Sequence, residues 1–411
     1  MPGSMPLPFM EEGMARWPFG PPNAGVCLDF AGTPPTAAEL RALVAERWAG
    51  LPRLGRRLLP GSRRHSWVTG EGGDPAGRVA QDDVTLAEAV EGWFRTPFPE
   101  GRPPWNLHLL RGAADGEFSL LFRMHHSLLD GRSLTTLLRA LLDGAPPVDS
   151  AAALAEPGNL RRTAVGGPGL LTTGLAVPPP GKGERRPAFA VVRLPADLLR
   201  GARRAVPGRP VTTNEVFLAA ASGVLRSCLP ASTGTPDASA RVWLSVPVDQ
   251  RPPGHGDFLG NAFANVRVPA PVGLAAPAAR LAACAGLLTT EVRPRRAAER
   301  LLEGVAGAFP GAGQALARGR LFAPDYAPAA CSYVHLRECG RTLAGRPLRR
   351  VTAVPMVPPA DTVTFTLGGC AGGHTLGVAT NSGAEDAELL AESFLHELHE
   401  LGLLGRTAPT C

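Results

Sequence analysis

An α+β fold in two similar lobes is what this 411-residue sequence predicts, and three observations carry the prediction. Short apolar or alternating runs, such as Phe118–Phe122 and Val242–Val248, recur among segments with helical spacing, such as Leu40, Leu43, Val44, Trp48 and Leu51. Both halves of the chain carry both kinds of segment. Between them lies a stretch dense in Pro, Gly and Ala (residues 144–188), which ends Val177-Pro178-Pro179-Pro180-Gly181-Lys182-Gly183 and puts the boundary near residue 165. Each lobe is expected to be a mixed or antiparallel sheet flanked by helices.

Composition narrows the function classes. With 44 % hydrophobic and 19 % charged residues the chain is globular, and its length allows ample core. The net charge of +6 comes from scattered arginines (Arg56, Arg57, Arg63, Arg64, Arg295, Arg296) with no interleaved aromatics, which argues against a nucleic-acid surface. A solvated basic face is the main reading, and attraction to an anionic cofactor or membrane surface is the alternative. Seven scattered cysteines without a Cys-x-x-Cys pair disfavour a disulfide scaffold and a zinc site, and fit a reducing cytoplasm. Met1–Met14 has no basic region followed by a long apolar core, so no signal peptide is expected, and no apolar run nears the ~20 residues of a membrane span, so membrane contact is expected to be peripheral at most.

The elements follow in order. Residues 1–24 read as irregular, 25–145 as the N-terminal lobe, 146–188 as the linker and 189–411 as the C-terminal lobe. Val26–Phe30 reads as a strand. Thr36 and Glu39 form a capping-box pattern before a helix, and Thr85–Phe94 is a second helix with Leu86, Val90 and Trp93 inward. Trp105–Leu110 and 118–122 read as a hairpin. In the second half Thr212-Thr213-Asn214-Glu215 opens a helix, strands follow at 242–248, 264–268, 351–354, 363–368 and 375–379, and helices are expected over 276–293, 297–317 and 384–401. Glu11-Glu12 and Asp82-Asp83 read as surface pairs, and His335 and His374 as lone histidines.

The chemistry concentrates after the strand 118–122. His125-His126 sit at its exit, Asp130-Gly131 form a turn, and Ser133 opens a helix. A histidine at a strand exit is held on one side and opens onto a cleft on the other, as a general base requires. An imidazole with a pKa near neutrality accepts a proton from an attacking alcohol or amine and returns it to the leaving group. His126 is the expected base, His125 its support, and Asp130 a structural group pairing with an arginine or with backbone amides. Gly131 is expected to allow a close turn. Two ordinary loop histidines are the alternative. No Gly-x-Ser-x-Gly elbow, phosphate-binding loop or dinucleotide fingerprint competes, and Gly304–Gly313 contains Pro310 and follows no strand.

His125-His126-x-x-x-Asp130-Gly131 resembles the signature of the coenzyme-A-dependent acyltransferase superfamily, which includes chloramphenicol acetyltransferase and peptide-synthetase condensation domains. Further stretches resemble its wax ester synthase/diacylglycerol acyltransferase branch: Leu51-Pro52-Arg53-Leu54, Pro104-Trp105-Asn106-Leu107, Asn214-Glu215 at a helix start, and Val246-Pro247-Val248 with Arg251 and Gly260-Asn261. The resemblance implies two chloramphenicol-acetyltransferase-like lobes with an active-site tunnel between them. It also implies acyl transfer from acyl-CoA or an acyl-carrier protein to a small-molecule alcohol or amine, with acyl-CoA as co-substrate and no bound cofactor or metal. Trp105, Arg251 and Asn261 then become candidate substrate contacts. Asn214 becomes a candidate oxyanion donor or orienting group, with plain helix capping as its alternative. Glu215 stands where the family has Asp, and the family's Ser-Asn-Val-Pro-Gly-Pro block is missing around Cys331–His335. A specialised metabolite is therefore as admissible an acceptor as a lipid. A condensation-like catalyst and a non-catalytic binding homologue are the competing readings.

Overall fold

The computed structural model describes residues 4–69, 74–110, 116–154, 163–164, 172–181, 184–206, 211–229, 241–288, 293–294, 315, 317–336, 341–370 and 373–407. The first half runs β1 (Ser4–Pro6), α1 (Phe9–Ala15), β2 (Asn23–Ala31), α2 (Ala37–Arg47), β3 (Arg56–Leu59), β4 (Ser66–Thr69), β5 (Val79–Asp82), α3 (Leu86–Arg95), β6 (Trp105–Leu110), β7 (Glu117–His125), α4 (Gly131–Ala140), α5 (Ser150–Leu154) and β8 (Thr163–Ala164). The second half begins with β9 (Ala188–Leu194), α6 (Ala196–Ala202), α7 (Thr213–Ser227), β10 (Val242–Asp249), β11 (Phe263–Ala270), α8 (Pro277–Cys284) and β12 (Arg293–Pro294). It ends with β13 (Ala329–His335), β14 (Thr342–Leu343), β15 (Arg346–Val354), β16 (Val363–Cys370), β17 (Gly373–Thr380) and α9 (Ala384–Thr407).

Two mixed six-stranded sheets, flanked by helices, form the lobes. The first has the order β14-β15-β2-β7-β6-β5, and the second β11-β10-β13-β16-β17-β9. In the first, β6 and β7 pair antiparallel, Trp105 opposite Met124, as the hairpin pattern predicts. In the second, β13 runs parallel to both β10 and β16, and the other pairings are antiparallel. Local chemistry sets three helix starts: Thr36 with Glu39, Thr85 with Glu88 and Thr212 with Glu215 each close a reciprocal capping box. The first core is built on Trp48, Trp105 and Phe122. Trp105 stacks on Phe122 with centroids 5.5 Å apart, and Trp48 meets both edge-on. The second core joins Phe217 of α7 and Phe394 of α9 to Phe365 of β16.

Several expectations are corrected. Residues 4–15 are not irregular: β1 pairs with β4, and α1 follows. The C-terminal half is not confined to the second lobe. Its strand β15 pairs along β2 in the first sheet, Val351 opposite Leu28, so a late segment completes an early sheet. Glu11 and Glu12 are buried, not surface pairs, because Arg53, Trp67, Arg16 and His65 supply donors to them. Asp82 receives His108 Nδ1 at 2.6 Å. His335 and His374 are not lone: their rings stack over the space left by Gly369, and Tyr333 Oη lies 3.0 Å from His374 Nε2. Helix α8 ends at Cys284, and most of 297–317, with Gly304–Gly313, lies outside the described residues, as does much of the linker.

Candidate active site

Strand β7 delivers the two histidines into a loop held from four directions. His125 N–H donates to Pro104 O at 2.9 Å and His126 N–H to Pro22 O at 2.8 Å, which fixes the loop's entry against the first lobe. Arg53 donates to Ser127 O and Leu128 O, and its carboxylate partner is Glu11. From the second lobe, Asn261 Nδ2 donates to His126 O at 3.1 Å and Ser127 O at 2.9 Å. Asp130 then caps α4, accepting from Ser133 N at 2.8 Å.

The loop between β10 and β11 crosses to the first lobe at this point. Arg251 Nη2 donates to Asp130 Oδ1 at 2.9 Å and to Ser133 Oγ at 2.7 Å, while Nη1 reaches Asp249 at 2.9 Å. Ala262 N donates to Asp130 Oδ2 at 2.8 Å, and Asp130 N to Gly260 O at 3.2 Å. Ser133 Oγ accepts from Gly260 N and donates to Gly260 O. Burial alone would lower the Arg251 pKa, but the Asp130 and Asp249 carboxylates outweigh it and hold the guanidinium charged. Asp130 thus does three jobs: helix cap, ion-pair partner and acceptor for the opposite lobe.

The two histidines differ sharply. Ser127 N–H points at His125 Nδ1 (3.3 Å) and Ser127 Oγ lies 2.7 Å from it, so Nδ1 is an acceptor and the proton sits on Nε2. Burial, then the nearby His126 and His65, push the His125 pKa down to about 3. It is a neutral structural residue. His126 is only partly buried, and its ring lies tilted 6.0 Å from Phe263. Its Nδ1 is buried and has no hydrogen-bond partner among the described residues. Burial lowers its pKa too; its own carbonyl, Asp130 and Asn261 pull the other way without cancelling that. A neutral, partly exposed imidazole is competent to accept a proton.

The other expected site residues fall differently. Trp105 is corrected from a substrate contact to core: it is 1 % exposed and donates its indole N–H to Leu54 O. Arg251 and the Asn261 amide nitrogen instead join the lobes. Gly131 has an ordinary helical backbone, and an added Cβ would meet Val334 at 3.5 Å, a normal contact, so no tight turn demands it. Asn214 is the second residue of α7, partly buried. Thr212, not Asn214, caps that helix, and among the described contacts none joins Asn214 to the His126 loop. Arg53 and Ser133 were not singled out as site residues from the sequence. Ser133 had a signal, three residues after the capping Asp130; the partners of Arg53 are remote in sequence.

His125 gives a stability prediction. The unfolded ring titrates near the ordinary 6.5, the folded one near 3, so only the unfolded chain takes up this proton as pH falls between them. Stability from this group is full above about pH 6.5 and falls below it by up to about 1.4 kcal/mol per pH unit. Urea midpoints at pH 7.5, 6 and 5 should drop progressively; a flat series would refute the assignment.

With the geometry in hand, likeness to known proteins can be stated. The family model for the wax ester synthase/diacylglycerol acyltransferase catalytic domain matches residues 80–235, which include the whole histidine loop. A wax ester synthase/diacylglycerol acyltransferase from Marinobacter aquaeolei VT8 superposes with a TM-score of 0.67 at 17 % identity, covering 98 % of this chain and 100 % of that one. Residues 80–235 are thus similar to that catalytic domain, and the chain as a whole shares the fold of the Marinobacter enzyme. Its fold is shared equally with condensation domains: the first condensation domain of the calcium-dependent antibiotic synthetase gives a TM-score of 0.66 at 19 % identity, over 98 % of this chain and 96 % of that one. Sequence likeness to curated relatives is local, and the chain spans less than a third of the length of those it matches. A putative diacylglycerol O-acyltransferase of Mycobacterium bovis is 31 % identical over 72 residues, 18 % of this chain and 16 % of that protein's length. One from Mycobacterium tuberculosis is 29 % identical over 140 residues, 30 % of this chain and 28 % of that protein. Among the described residues no helix is long and apolar enough to cross a membrane.

Proposed function

We propose that this protein belongs to the wax ester synthase/diacylglycerol acyltransferase-like family and is an acyltransferase in which His126 is the general base. The observation that carries the reading is the contrast within the histidine pair: His125 is buried and its Nδ1 is engaged by Ser127, whereas the His126 ring is partly exposed on a loop clamped by both lobes. In the proposed step His126 Nε2 takes the proton from an alcohol or amine as its O or N attacks a thioester carbonyl. The tetrahedral intermediate collapses with loss of the thiolate, which receives that proton. No bound cofactor is invoked, and acyl-CoA is the co-substrate. Asn214, whose amide makes no hydrogen bond among the described contacts, is the proposed orienting group from the second lobe.

The donor is the open point. Its likeness to condensation domains supports a carrier-protein thioester as the second reading, for ester or amide formation on tethered partners. Incubating the purified protein with a panel of acyl-CoAs and candidate acceptors, and following free thiol, tests the first reading. Acceptor-dependent thiol release with at least one acyl-CoA is the expected result. Release only when the acyl group is presented on a carrier protein would shift the assignment to the condensation type, and none with either donor would refute it.

A further inference from the structure

Beyond the base itself, we propose that Arg53, held by Glu11 of α1, is a positioning residue that aims His126 from the first lobe. Arg53 is 2 % exposed, as is Glu11, so the pair is taken wholly out of water. Its guanidinium serves three groups at once. Nε donates to Leu128 O at 2.8 Å, Nη2 donates to Ser127 O at 3.1 Å, and Nη2 also pairs with Glu11. The plane is further fixed by the Trp67 ring, 5.1 Å from its central carbon, and Trp67 donates its indole N–H to the other Glu11 oxygen.

The decisive detail is the carbonyl of Ser127. It accepts from Arg53 of the first lobe and from Asn261 of the second, so both of its lone pairs are used, one by each lobe. The residue immediately before it is His126. A carbonyl tied to both lobes fixes the peptide unit that follows the base by one residue, and so the chain direction at His126; small displacements of a base cost large factors in rate. Burying an ion pair incurs a desolvation cost that apolar residues of similar volume would avoid. Here the planar fork explains why the pair is an arginine and a carboxylate: a lysine cannot address two successive carbonyls and a carboxylate in one plane. The N-terminal helix thereby becomes part of the catalytic apparatus through one side chain.

This inference rests on His126 as the base, and the test separates the two. The variants are Arg53→Lys, and Arg53→Met combined with Glu11→Gln. The double variant leaves no buried charge unpaired and keeps an acceptor for the Trp67 indole. Two readouts are taken: kcat and KM for acyl transfer, and the titration midpoint of the His126 ring by NMR, with His126→Ala assigning its resonance. The charged and titratable groups around that ring, Asp130 with Arg251 and His125, are untouched by either substitution. In the double variant kcat should fall about 10- to 100-fold at nearly constant KM, and the His126 midpoint should rise toward that of a free imidazole as the loop gains solvent. Arg53→Lys should fall between it and the parent. An unchanged midpoint and kcat in both variants would overturn the proposal. If the double variant does not fold, Arg53→Lys decides by the same two readouts. A parent protein inactive on every thioester removes the acyltransfer reading, and the titration midpoint alone then decides the role of Arg53.

Discussion

His126→Ala lowers kcat for acyl transfer by about 10²–10⁴-fold, the range expected for loss of a positioned general base, while the protein melts close to the parent temperature. The second half of that result follows from the packing. His126 is partly exposed and its Nδ1 has no hydrogen-bond partner among the described residues, so truncation removes little that holds the fold. The parent's rate should depend on pH in one direction. The base works unprotonated, and burial holds its pKa below the ordinary 6.5, so the rate is level through neutral and alkaline pH and declines only in acid. His126→Ala should lose that decline along with the rate. Initial-rate measurements from pH 5 to 9 check both, and a variant retaining full turnover would end the catalytic reading.

Asp130→Ala should be the most damaging single change to stability, at about 3–5 kcal/mol, the usual cost of stripping one partner from a buried pair. Three losses coincide. Arg251, 8 % exposed, keeps among the described residues only the half-exposed Asp249 as a carboxylate partner; α4 loses its cap; and Ala262 N loses its acceptor across the lobe boundary. Arg251→Met should recover part of the loss when combined with Asp130→Ala, because the stranded cation goes with it. A double-mutant cycle by urea denaturation should show coupling above about 0.5 kcal/mol. A single-variant cost below about 1 kcal/mol would mean that the pair is not the lobes' main tie.

What was legible in the sequence is what depends on near neighbours. The three capping boxes join residues three apart, and the β6–β7 hairpin joins runs separated by a short turn. The histidine loop was legible because strand exit, histidines, capping Asp130 and Ser133 are consecutive. Long-range compensation was not legible. Glu11 looks like a surface acid until Arg53 and Trp67 are folded against it. Trp105 looks available to a substrate until Leu54 O takes its N–H and Trp48 and Phe122 close around it. Asn261 and Arg251 read as substrate contacts, and nothing local reveals that their donors go to the opposite lobe's backbone and to Asp130.

The exchange of β15 into the first sheet bears on the order in which the protein can be made. On a ribosome, β2 and β7 emerge early, yet the strand that covers the other edge of β2 is more than three hundred residues downstream. Until Arg346–Val354 has been synthesised, β2 presents an open row of amides and carbonyls, the kind of edge that templates pairing with other chains. Closing it late makes for a high contact order and slow maturation. A nascent chain stalled at the linker should therefore be sticky, and the first lobe expressed alone should aggregate until supplied with the late strand in trans.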